Sequence, residues 1–180
     1  MLLTFLLLLH IIFALGTGIS FLFLREKNLS TFEKLPRARI PGAVLGFLAL
    51  LGFLPNVEPM FPMESNLVWL IPAALLLTVV CTLYIDYLFA RALAGALIVA
   101  SHASLAESYA AALPGGSIFA IFSFAAGLFG IVIAAKPGYL RDLFRKGALF
   151  PLLRTGIFIY CIFWALTALF LLIRYGGKQV

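Results

Sequence analysis

Six apolar stretches alternate along this chain with short polar segments: 2–24, 40–55, 67–85, 92–113, 117–135 and 149–173. None shows the period-two alternation of a barrel strand. A backbone in lipid must satisfy its own hydrogen bonds, so each stretch predicts a helix. Residues 67–113 are almost continuously apolar and as one helix would be about twice the ~30 Å thickness of the hydrocarbon core. The chain must therefore reverse, and "YIDYLFAR" (84–91), with Asp86 and Arg91, is the polar place to do it. The stretch 40–55 is short, contains Gly42, Gly46 and Gly52, and is bounded by Pro41 and Pro55. The expected fold is all-α: a single polytopic membrane bundle of six transmembrane helices, or five plus one re-entrant segment.

Composition confirms lipid as the solvent, because 64% hydrophobic residues, 11% charged residues and a mean hydropathy of +1.14 lie outside the range of soluble domains. Six spans of about 20 residues nearly exhaust the chain, leaving no room for a second domain. Cys81 and Cys161 both fall inside apolar runs and lack ligand spacing, so they read as small packing residues.

Charge gives the spans a direction. Loop 25–39 holds five basic residues and the segment 136–148 holds four, and Lys and Arg collect on the cytoplasmic side. Both segments facing the cytoplasm requires an even number of crossings between them, which six spans supply. Arg91 and Arg154 then join them, placing eleven of the thirteen basic residues inside and leaving Arg174 and Lys178 outside with both termini. The first span carries its charge after the apolar run, unlike a cleaved signal, and is expected to be retained. Trp69, Tyr109 and Tyr175 fall at the outer interface and Tyr84, Tyr87 and Tyr139 at the inner one. The expected location is a bacterial inner membrane. The net charge of +6 then lies along the cytoplasmic rim, where anionic headgroups attract each basic side chain by about 1 kcal/mol. Nucleic acid is not implied.

Small residues recur every four positions on the fourth span, at Ala92, Ala96, Ala100, Ser104 and Ser108, and again at Ser123, Gly127 and Gly130 on the fifth. Such stripes let helix backbones approach closely, and they predict either the centre of the bundle or a contact with a protein subunit, including a second copy in a homo-oligomer.

Ionisable groups at membrane depth are costly and mark candidate chemistry. His10 lies in the first span and His102 in the middle of the fourth, with Glu107 about 7 Å further along the same helix. Two imidazoles at matched depth point to a b-type haem, a metal ion or, with Glu107, a proton relay; the alternative is a separate hydrogen bond for each to a neighbouring helix. All three are expected to face the interior. Five positions put His102 and Glu107 about 140° apart on a straight helix, so one small ligand cannot take both without a kink. Asp86 is expected to pair with Arg91 or Arg154. Met60 and Met63, in "NVEPMFPMESN", have thioethers that suit Cu(I), but a rigid proline turn explains them equally. No P-loop, H-E-x-x-H, G-x-S-x-G or dinucleotide glycine pattern occurs, which removes the support for a hydrolase or nucleotide enzyme.

The opening "LLLLHIIFALGTGISFLF" followed by "FEKLPRARIPGAVLGFLALLGFL" resembles the start of the HemJ-type protoporphyrinogen oxidases, which have a histidine early in the first span and a basic loop before the second. The likeness is confined to these two stretches and implies His10 as a haem ligand. Two functions are expected from the whole: a non-catalytic integral subunit or scaffold of a membrane complex, or a redox or transport protein using His10, His102 and Glu107.

Overall fold

A computed structural model describes residues 2–57, 67–110 and 116–175. Among them the chain forms eight α-helices and no strand: α1 Leu2–Phe23, α2 Leu29–Lys34, α3 Arg39–Val57, α4 Leu67–Tyr84, α5 Leu88–Ala110, α6 Gly116–Ala135, α7 Gly138–Leu149 and α8 Pro151–Tyr175. Four of these, α1, α5, α6 and α8, are long and apolar enough to cross a membrane. A fifth qualifies only if residues 26–37 and α3, bent by 51° at their junction, count as one broken span, and the apolar part of α4, Trp69–Tyr84, is shorter.

Sequence explains the breaks. Pro41 sits in the first turn of α3, where a missing N–H costs nothing. Phe150 precedes Pro151 and adopts an extended conformation (φ −110°, ψ 98°), the geometry that a following proline imposes, so α7 ends there and α8 begins. The α4–α5 reversal falls at Ile85–Tyr87, as expected, and Tyr87 makes it by taking φ 57°. The helix that carries the stretch 92–110 begins at Leu88.

The two basic segments, expected as loops, are helical. In "GYLRDLFRKGAL" the buried residues Leu140, Phe144, Gly147 and Ala148 recur at helical spacing and the charges take the other side, which makes α7 strongly amphipathic. Its apolar side covers Phe21, Leu24, Ala90, Ala94 and Ile133 at one end of the bundle. We call this the basic end.

Helix directions follow from close contacts. The Cβ positions of Gly42, Gly46 and Gly52 meet Leu88 and Phe89, Ala92, and Val99 in turn, so α3 and α5 run parallel. The chain between them must return along the bundle, and α4 lies on that return. Gly130 meets Ala94 and Gly127 meets Ser101, so α6 runs antiparallel to α5; Gly18 meets Cys161 and Arg154 reaches the Leu24 carbonyl, so α8 runs antiparallel to α1. A core of α1, α5, α6 and α8 encloses Leu7, Ala14, Leu97, Phe119, Ala126, Trp164 and Ala168, and α3 then α4 are added on the far side of α5.

The four-residue stripe on α5 does not serve one partner. Ala92 faces α3 and Ser104 faces α1, while Ala96 and Ala100 are only half-buried. The close approach of α5 to α6 uses Ala94, Leu97 and Ser101 against Gly127 and Gly130. The reason is geometric: a four-residue step turns about 400°, so the stripe drifts around the helix and passes from one neighbour to the next.

Candidate functional site

α1 turns His10 inward, and its ring is 4% exposed. The Leu6 carbonyl, 2.8 Å away, can only accept, so Nδ1 carries the proton and donates to it. Nε2 is left as an acceptor, with the Ser104 hydroxyl of α5 donating at 3.3 Å. The rings of Phe119 and Trp164 present edges to the imidazole at centroid distances of 5.2 and 5.4 Å. His10 is thus a neutral side chain with both nitrogens engaged, joining α1 to α5 against α6 and α8. One turn away, the Ser101 hydroxyl donates to the Ser123 carbonyl at 2.7 Å, joining α5 to α6. Trp164 Nε1, Ser108 Oγ and Ser123 Oγ are buried and have no hydrogen-bond partner among the described residues.

His102 is placed elsewhere. Its ring is exposed, on the side of α5 between the α3 and α6 contacts. The two-residue offset from Ser104 puts it about 160° around the helix from the residue that meets His10. The two histidines of one chain therefore cannot ligate one haem or one metal ion, and the expectation that His102 faces the interior is corrected. The cause is the number of neighbours: α6, α1 and α3 already occupy three sides of α5. Glu107 is half-buried and lies about 140° around from His102, which keeps those two apart as well. Among the described residues no three His, Cys, Asp or Glu side chains gather at metal-binding distance. Met60 and Met63 lie outside the described residues.

The basic end departs from the expected ion pair. Neither Arg91 nor Arg154 forms a salt bridge with Asp86 among the described residues. Arg154 instead donates to the Leu24 carbonyl at 2.8 Å, taking up a backbone acceptor left unpaired at the end of α1. Arg37 donates to the Tyr87 hydroxyl at 2.7 Å and lies 4.8 Å from its ring centroid. Arg145 donates to Glu33 across 112 residues of sequence, and that guanidinium holds the Glu33 carboxyl below the usual glutamate range. Phe32 packs its ring on Phe144 beside this pair, at 5.6 Å. The two basic segments are therefore joined at one end of the bundle, as the charge argument required.

Sequence reading singled out His10, Ser104, Gly127 and Gly130 and placed Tyr87 at an interface, but missed Trp164, Ser101, the Arg37–Tyr87 contact and the Glu33–Arg145 pair. Apolar residues at 140, 144 and 148 with charges at 141, 142, 145 and 146 were a readable sign of α7. The pairings across 50 and 112 residues left no local sign. No protein-family model, no curated protein and no solved structure matches this chain, so its residues take no role from a relative.

Proposed function

We propose that this protein is a non-catalytic integral subunit of a membrane complex, crossing a bacterial inner membrane six times and docking on a second membrane-spanning chain through the outward side of α5. The observation that carries this reading is the exposed His102 ring, midway along a helix of membrane length. An imidazole facing acyl chains leaves its polar nitrogens unpaired at a cost of several kcal/mol, which a partner helix offering one hydrogen bond removes. Arg91, Gly95 and Tyr109 share that strip, and a Cβ at Gly95 would meet nothing within 4 Å, so a partner backbone has room to approach there.

Six crossings are supported by the parallel course of α3 and α5, which needs α4 as a full return. The orientation rests on the eleven basic residues at the basic end, which the positive-inside rule assigns to the cytoplasm. The test is a photo-crosslinking amino acid in place of His102 in intact membranes, with Ile121 on the exposed side of α6 as the control. The expected outcome is a protein adduct from position 102 only. Differently tagged copies show whether the partner is a second copy of this chain. Adducts with lipid alone at both positions would remove the docking reading.

A further inference from the structure

We infer that the partner on the outward side of α5 is a second copy of this chain, related by a two-fold axis that runs along the bilayer normal and passes beside Gly95 and His102. The inference rests on the docking reading above and supplies its partner. The open strip has defined borders. A Cβ at Gly130 of α6 would lie 3.1 Å from Ile98, and the Cβ position of Gly52 of α3 lies 3.5 Å from Val99, so these two α5 side chains lean to opposite neighbours. Between them Gly95, His102 and Tyr109 follow at seven-residue intervals, with Arg91 and Ala106 beside them. Seven residues fall only about 20° short of two full turns, so the strip stays turned toward a helix that crosses α5 at a shallow angle.

Complementary chemistry along the strip identifies the occupant. Every copy inserts in the same direction, so two α5 helices facing across a two-fold axis run parallel and meet at equal depth. A neutral imidazole carries one donor and one acceptor nitrogen, so His102 and its own counterpart satisfy each other, one ring donating and the other accepting. Seven residues earlier Gly95 offers no side chain, and with nothing within 4 Å of its Cβ position the two backbones can close on each other there. At the basic end Arg91 and Asp86 are both exposed, and neither enters a salt bridge among the described residues. A pair of copies brings this cation and this carboxylate from opposite chains to similar depth, where they attract, and Arg91 is long enough to turn from the axis toward the carboxylate. A partner of unrelated sequence would have to match the imidazole, the glycine and both charges at the right depths. A second copy carries them there by symmetry.

The experiment oxidises single-cysteine chains in native membranes, with Cys81 and Cys161, both free thiols, replaced by alanine. Gly95→Cys, Ala106→Cys and Tyr109→Cys should each form disulfide-linked pairs at least tenfold more than Leu76→Cys on α4 or Ile121→Cys on α6, two exposed positions away from the strip. Differently tagged full-length copies should co-purify in mild detergent. His102→Leu should lower that recovery severalfold, while His102→Asn, which keeps a donor and an acceptor, should retain it. Copies carrying Arg91→Asp should pair poorly with themselves, as should copies carrying Asp86→Arg, and a mixture of the two should recover the pair. Disulfide yields at the control level without co-purification would overturn the second-copy inference. In that event a different protein crosslinked at position 102 would leave the docking reading standing, whereas lipid adducts alone would remove both. Undiminished recovery of His102→Leu would overturn the imidazole pairing, and mixed charge variants that recover no better than either alone would overturn the contact between Arg91 and Asp86.

Discussion

At the scale of single residues, the polar side chains of this protein mostly fasten one helix to another. His10 illustrates how. Its Nδ1 is occupied by its own helix, and the remaining nitrogen reaches one hydroxyl on α5. Ser20, Thr78, Thr82 and Thr155 each return their hydroxyl to the carbonyl four residues back, the usual solution where no neighbour offers an acceptor. Ser101 and Ser104 are used across helices instead. At the basic end Glu33 and Arg145 do the same with charges, and this pair gives a pH dependence of known sign. Its folded carboxyl is held below the ordinary glutamate value of about 4.3. Its contribution is therefore complete above that value and is lost as pH falls through the lower folded one. The α2–α7 contact should loosen under acid conditions, read as faster hydrogen exchange in residues 29–34 and 138–149. Glu33→Gln should show the fast exchange already at neutral pH and lose the acid step. An acid step of equal size in Glu33→Gln would assign it to another group.

At the scale of elements, close approach decides which small residues matter, and here sequence reading was half successful. It identified Gly127 and Gly130, because small residues at four-residue and three-residue intervals mark a helix that packs tightly. It misassigned the partner face of α5, because spacing along one helix does not reveal where the neighbours stand. Of the glycines of α3, Gly42 and Gly46 are where that helix rests on Leu88, Phe89 and Ala92. A pair of alanine substitutions separates packing from propensity. At Gly130 a Cβ would lie 2.9 Å from the Ala94 carbonyl oxygen, a backbone atom that cannot rotate away. Gly130→Ala should therefore destabilise by about 1–3 kcal/mol, the usual cost of overpacking. Gly16 has nothing within 4 Å of its Cβ, so Gly16→Ala should stabilise by about 0.5–1 kcal/mol through helix propensity alone. Unfolding in a graded detergent titration gives both values. Equal effects would mean that the α5–α6 contact is looser than its distances imply.

At the scale of the whole molecule, the all-α class and the gathering of basic residues at one end were legible, because hydropathy and charge are properties of segments. The helical form of those basic segments and the outward position of His102 were not, since both depend on how many helices surround α5. The same geometry bears on α3, which by sequence could cross the membrane or dip into it. From Gly42 beside Leu88 to Gly52 beside Val99, α3 advances with α5 over ten residues, about 15 Å of axial travel, and its 19 residues span about 28 Å. A re-entrant segment would turn back within that distance, whereas α3 keeps pace with a helix long enough to cross. Positions 30 and 62 should therefore lie on opposite sides of the membrane. With Cys81 and Cys161 replaced by alanine, Ser30→Cys should react with an impermeant maleimide only after the cells are permeabilised, and Pro62→Cys should react in intact cells. Labelling of Ser30→Cys alone in intact cells would reverse the orientation and keep the crossing. The same response at both positions would make α3 re-entrant, put the N-terminal and C-terminal basic segments on opposite faces in the charge argument, and contradict the contacts between Glu33 and Arg145 that hold those segments together.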